Sequence, residues 1–119
     1  FIYMELLKIG LATIIIDYFY LSVIKNKFNK MINKIQGSDI ELNYIAAGLC
    51  YILLVFCLKY FVIDKKFTYL ESFYLGVIIY GIYETTSAAT IKNWSNEMIL
   101  IDTLWGGTLF FLISNIFRP

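Results

Sequence analysis

The chain has 119 residues, of which 60% are hydrophobic and 18% aromatic, and its formal net charge is +1. This composition excludes an ordinary soluble domain and predicts an integral, multi-pass membrane protein. A net charge this close to neutral also excludes a protein that binds nucleic acid through a concentrated basic surface.

Four apolar runs have about the length of 20 residues that crosses the hydrocarbon core of a bilayer. They cover residues 2–24, 44–63, 70–91 and 98–117. Because lipid cannot satisfy backbone hydrogen bonds, each run is predicted to be an α-helix. The connection over residues 92–96 is too short for anything but an antiparallel neighbour. The predicted fold is therefore an all-α, four-transmembrane-helix antiparallel bundle, with residues 1–119 forming a single membrane domain.

The segment after the first run, residues 25–36, has an amphipathic pattern. Four apolar side chains recur at spacings of three and four residues, and four lysines fill the other face. The apolar set is Phe28, Met31, Ile32 and Ile35, and the basic set is Lys25, Lys27, Lys30 and Lys34. We predict a separate interfacial helix that lies on the membrane with its lysines against phosphate headgroups. The alternative is a helix packed on a partner protein.

Local signals predict where several helices begin and end. Gly37 is placed to end the amphipathic helix in a left-handed conformation. The tetrapeptides 38–41 and 68–71 both fit a capping box, in which a serine or threonine is followed three residues later by glutamate. We therefore predict that the second helix begins near Asp39 and the third just after Thr68.

Carboxylates lie inside three of the apolar runs. Asp17 lies seven residues before Ile24, Glu84 lies seven before Ile91, and Asp102 is about six residues into the fourth run. At 1.5 Å per residue, all three carboxyls are predicted to lie about 10 Å from the same membrane surface. Charged residues at this depth are rare and usually face the interior of a helix bundle or a water-filled cavity.

Hydroxyl and indole groups accompany these acids at helical spacing. We define the acidic layer as the three carboxyl residues with their predicted neighbours. Its members are Asp17, Glu84, Asp102, Tyr80, Tyr83, Ser87 and Trp105. Three carboxylates in one low-dielectric layer cannot all stay charged without cations, so at least one is expected to be protonated at pH 7.

Three roles for the acidic layer are open at this stage. Polar side chains commonly hydrogen-bond one membrane helix to another. Acidic side chains in membranes also serve as proton or cation pathways. Carboxylates can hold magnesium for chemistry on lipid phosphates, but no companion basic or nucleophilic motif is present. Since the chain has no histidine and no catalytic motif, we predict no metal site, no cofactor and no enzymatic activity.

A compound motif spans the third and fourth runs. It reads Tyr83-Glu84-x-Thr86-Ser87-x-Ala89-Thr90-x-Lys92-x-Trp94, followed by Asp102-x-x-Trp105-Gly106. The motif resembles the signature of a family of four-helix membrane proteins, widespread in bacteria, whose function is unknown. This family has aspartate where the chain has Glu84 and asparagine where it has Ser87. The resemblance implies four helices over nearly the whole chain and brings no activity or substrate with it.

The leading interpretation is a small structural or accessory subunit of a larger membrane assembly. Four helices without a sizeable extramembrane domain expose much surface, so the expected partners are the lipid bilayer and other subunits or further copies of the chain. The alternative is a proton- or cation-conducting transporter or channel component that uses the acidic layer. The host membrane is left open among bacterial, organellar and internal virion membranes. The orientation is also left open, because five basic residues lie at each end of the helices.

Overall fold

A computed structural model of the protein describes residues 2–117. This part of the chain contains four α-helices, the second of which is continued by a π-helical stretch. The helices are α1 (Ile2–Gln36), α2 (Tyr44–Cys57, continued by the π-helix Leu58–Asp64), α3 (Tyr69–Thr90) and α4 (Asn96–Phe117).

Three of these helices are long and apolar enough to cross a membrane: α1, α2 with its π-helical continuation, and α4. The third helix has 22 residues and so a comparable length. It is less apolar, because it contains Glu71, Glu84 and four tyrosines. Helix length and composition thus support an integral membrane protein.

The structure corrects the prediction of a separate amphipathic helix. Residues 25–36 continue α1 without a break, so that one helix of 35 residues replaces the predicted pair. No proline or glycine lies between Ile24 and Gln36, and lysine is a good helix former. The apolar side of this segment packs on Trp94, Met98 and Ile101, near the start of α4. The left-handed conformation predicted for Gly37 is confirmed, with φ of +78°.

The capping box predicted for the second helix does not form, and α2 begins at Tyr44. Its N-cap is Asn43, whose side chain accepts a hydrogen bond from the backbone of the first turn. The Asp39 carboxylate instead accepts hydrogen bonds from the side-chain amides of Asn29, at 3.3 Å, and Asn33, at 2.9 Å. These contacts hold the loop between α1 and α2 against α1. The backbone of this loop is therefore not helical.

The capping box predicted for α3 is confirmed. The Glu71 N–H donates to the Thr68 hydroxyl oxygen at 3.1 Å, and the Thr68 N–H donates to the Glu71 carboxylate at 2.8 Å. Two of the backbone donors that a helix start leaves free are thereby satisfied.

Three pairs of helices run antiparallel, because later residues of one helix contact earlier residues of its neighbour. Between α1 and α2, Asp17 contacts Tyr51 and Glu5 contacts Lys59. Between α1 and α4, Tyr20 contacts Asp102 and Met31 contacts Ser95. Between α3 and α4, Tyr69 contacts Phe111 and Gly76 contacts Gly106. The main apolar core lies between α1, α2 and α4, and it is built around Leu58, Leu109 and Phe110.

Helices α3 and α4 approach each other backbone to backbone. A Cβ atom added to Gly76 would lie only 2.1 Å from the carbonyl oxygen of Gly106. A Cβ atom added to Gly106 would lie 2.3 Å from the ring of Tyr80. Small residues at such a crossing let two membrane helices approach backbone to backbone. This approach brings Glu84 of α3 beside Asp102 of α4.

Candidate functional site

Asp17 connects three helices through its carboxylate. Its side chain is 8% exposed. The Tyr51 hydroxyl of α2 donates to one carboxylate oxygen, and the Trp105 indole of α4 donates to the other at 3.0 Å. Sequence analysis missed Tyr51. The available signal was that Tyr51 is the one hydroxyl-bearing side chain in the apolar stretch 45–57.

An aromatic pair connects Asp17 to Asp102. The ring of Tyr20 stacks on that of Trp105, with centroids 4.5 Å apart and an angle of 2° between the planes. The Tyr20 hydroxyl donates a hydrogen bond to Asp102 at 2.9 Å, while Trp105 donates to Asp17. Two of the three predicted acids therefore share one set of packed aromatic side chains.

Glu84 is completely buried and faces Asp102. One of its carboxylate oxygens, Oε1, accepts a hydrogen bond from the Trp94 indole at 2.9 Å. The other, Oε2, receives no hydrogen bond from any residue in the part of the chain that the structure describes. The two carboxyl groups lie within hydrogen-bonding reach of each other. Such a bond forms only if one of them carries a proton, since an ionised carboxylate can only accept.

The remaining predicted members of the acidic layer take different positions. Tyr80 packs its ring against Gly106, the residue after Trp105. Ser87 is buried one turn after Glu84. Tyr83 is 55% exposed and touches the ring of Trp94 edge-on, with centroids 6.3 Å apart. The three acids, Tyr80 and Trp105 thus lie together, whereas Tyr83 lies at the outer edge.

The four predicted membrane-surface lysines lie on the last third of α1. Lys25, Lys27, Lys30 and Lys34 are all exposed there. Lys27 forms an ion pair with Glu97 of α4. This group of lysines is separate from the three acids, which lie closer to the middle of the helices.

A second charged cluster, missed by sequence analysis, lies at the opposite end of α1. Lys59 is 8% exposed and belongs to the π-helical stretch. Its ammonium group lies 2.6 Å from Asp64 and 2.9 Å from Glu5 of α1. π-Helical turns are rare and frequently occur at functional sites. Here the turn directs a lysine inward, where two carboxylates compensate its charge.

The three acids are not grouped as metal ligands. Over residues 2–117, no three histidine, cysteine, aspartate or glutamate side chains lie close enough together to hold a metal ion. The chemistry that this arrangement of side chains supports is instead hydrogen bonding between helices.

Comparisons with known proteins give the family. No curated protein and no solved structure matches the chain significantly. The model of a family of predicted membrane proteins matches residues 2–116, nearly the whole chain. The family has no known function, and its description agrees with the three helices that can cross a membrane. The chain therefore belongs to the predicted membrane protein family DUF2177.

Proposed function

We propose that the chain crosses the membrane four times as an antiparallel bundle, with α3 as the fourth span. Helix α4 is apolar enough to cross, and α3 lies along it at the contact between Gly76 and Gly106. Polar side chains of α3 point inward, since Ser72, Glu84 and Ser87 are all buried. Their burial removes the main cost of placing this less apolar helix in lipid.

In this arrangement the protein conducts protons, by itself or as a component of a transporter, and the pair of Glu84 and Asp102 binds the proton. One observation carries this proposal: the second carboxylate oxygen of Glu84 is fully buried and has no hydrogen-bond donor among residues 2–117, while the Asp102 carboxyl lies beside the same side chain. Buried polar atoms without partners are rare in folded proteins. A proton shared between the two carboxyls satisfies this oxygen and keeps two like charges from meeting in a low-dielectric site.

The surroundings of the pair favour proton exchange. Trp94, which donates to Glu84, also lines an open cleft between α1 and α4. On the other side, Asp102 accepts from Tyr20, whose ring stacks on the Trp105 that donates to Asp17. Acidic side chains are the usual components of proton relays within membranes, and Asp17, Glu84 and Asp102 supply three of them here.

Infrared spectroscopy tests whether the pair holds a proton. We expect wild-type protein at pH 7 to show the carbonyl stretch of a protonated carboxyl group, and we expect Glu84→Gln to lack it. Glutamine retains an acceptor for Trp94, and its amide can donate to Asp102 in place of the shared proton. The variant is therefore expected to fold normally.

Glu71→Gln is the matched control for this measurement. It makes the same substitution on the same helix at an exposed position, and glutamine also fits a capping box with Thr68. The control is expected to keep the band. A wild-type spectrum without a protonated carboxyl, or a band that survives in Glu84→Gln, contradicts the proposal.

A second candidate function, subunit of a larger membrane assembly, is favoured by the outer face of α3. This helix exposes Tyr74, Tyr83, Thr85 and Thr86, a more polar surface than membrane helices usually present to lipid. Protein extracted from its own membrane in mild detergent is then expected to have a native mass above that of one chain, with stoichiometric partners. A monomer that carries only lipid and detergent contradicts this role.

A further inference from the structure

A cleft of about 960 Å³ opens at the end of the molecule where α1 finishes and α4 begins. Its walls come from the last third of α1, the loop after it and the turn between α3 and α4. Three of the four lysines on this part of α1, namely Lys27, Lys30 and Lys34, line the cleft. The fourth, Lys25, is not among the lining residues.

The cleft has a net charge of +1, because three lysines line it together with two acidic residues, Asp39 and Glu97. Glu97 forms an ion pair with Lys27. Asp39 accepts hydrogen bonds from two asparagine amides of α1. Among residues 2–117, Lys30 and Lys34 are in no such ion pair, and both are exposed. Within that range these two lysines outnumber the one lining acid outside an ion pair, Asp39, whose hydrogen bonds come from neutral amides.

The start of α4, whose first turn carries Glu97, borders this cleft. The helix has 22 residues and begins at Asn96, next to the lining residue Ser95. The Ser95 hydroxyl accepts a hydrogen bond from the Met98 N–H at 3.2 Å, and the other N–H groups of the first turn add to the positive end of the helix dipole. A helix N-terminus favours an anion, and here it occurs beside free lysines.

The position of the cleft matches the headgroup region of a bilayer. Helix α1 has 35 residues and is about 52 Å long, whereas the hydrocarbon core is about 30 Å thick. Its apolar part ends near Ile24, so the lysines that follow lie at the level of lipid phosphates or just beyond them. Lys30 is about 9 Å past Ile24 along the helix axis.

We infer that this cleft binds a phosphate group, held by Lys30 and Lys34 near the start of α4. The phosphate belongs either to an anionic phospholipid headgroup or to a soluble phosphate compound. The site is separate from the pair of Glu84 and Asp102, so this inference is independent of proton conduction.

The test compares the double variant Lys30→Gln/Lys34→Gln with Lys25→Gln, in the full chain purified in detergent. Native mass spectrometry measures the phosphatidylglycerol and phosphatidylcholine that each protein retains. Equilibrium dialysis with labelled inorganic phosphate measures the soluble ligand in parallel. One lysine near anionic lipid changes affinity about fivefold, so losing two is expected to weaken binding about thirtyfold. The substituted lysines are exposed, so both variants are expected to unfold at the wild-type temperature.

The inference is supported if wild type retains more phosphatidylglycerol than phosphatidylcholine, and if this preference is lost in the double variant and kept in Lys25→Gln. That result assigns the phosphate to a lipid headgroup. Binding of inorganic phosphate with the same dependence on the variants supports it and assigns a soluble ligand. Equal retention of the two lipids without phosphate binding overturns it. A loss in Lys25→Gln as large as that in the double variant also overturns it, because the charge then acts without the cleft.

Discussion

Gly76→Ala is expected to destabilise the protein by about 1–3 kcal/mol, the usual cost of forcing extra atoms into a close-packed contact. The new Cβ atom would lie 2.1 Å from the carbonyl oxygen of Gly106 and 2.6 Å from its carbonyl carbon. Both are backbone atoms of α4, so no side-chain rotation relieves the overlap and the two helices must separate. Reversible unfolding in mixed micelles, monitored by the helical circular dichroism signal, measures the loss.

Gly48→Ala is the matched control. Gly48 also lies within a helix, and in the described part of the chain no atom beyond its own stretch of helix lies within 4 Å of the position that its Cβ would take. Alanine is favoured over glycine in helix interiors by about 0.5–1 kcal/mol, so this variant is expected to be as stable as wild type or slightly more stable. If Gly76→Ala is as stable as Gly48→Ala, the backbone contact between α3 and α4 is wrong.

The same contact determines the geometry of the acids. Helix separation at Gly76 moves Glu84 of α3 away from Asp102 of α4, because the two carboxyls lie along the same helix interface. Gly76→Ala is therefore expected to weaken the infrared band of the shared proton as well as the fold. A variant that loses stability and keeps this band indicates that the pair is held by contacts other than the glycine crossing.

Much of the architecture could be predicted because it depends on length and composition. The rise per residue of an α-helix gave a common depth for Asp17, Glu84 and Asp102, and the structure places them together. Trp105 was predicted as a member of the acidic layer, but two other donors were missed, because depth does not specify rotation about the helix axis. Tyr51 was missed in this way, and so was the hydrogen bond from Trp94 to Glu84.

The errors of sequence analysis arose where one pattern fits two environments. The apolar stripe of residues 25–36 suits either the bilayer interface or another helix, and the protein uses it against the start of α4. The tetrapeptide 38–41 has the composition of a capping box, but Asp39 finds donors on α1 and the box is lost. Periodicity alone does not reveal such competing partners. The π-helical turn that buries Lys59 has no sequence signal that we can identify.

Proton movement into liposomes tests the proposed function most directly, and Glu84→Gln is expected to have the largest effect of any single substitution. Wild-type protein is reconstituted with a pH-sensitive dye inside, and a potassium diffusion potential drives protons inward. A positioned acid or base contributes about a hundredfold or more to a proton-transfer rate. We therefore expect Glu84→Gln to slow acidification at least about a hundredfold, to the level of empty liposomes.

Glu71→Gln is again the control, since it removes an exposed carboxylate from the same helix and leaves the buried pair intact. The account predicts that wild type and Glu71→Gln acidify the liposomes at the same rate, while folded Glu84→Gln does not. Wild-type liposomes that acidify no faster than empty ones, or a Glu84→Gln rate equal to that of Glu71→Gln, would contradict it. In that case the carboxyl pair only holds α3 against α4.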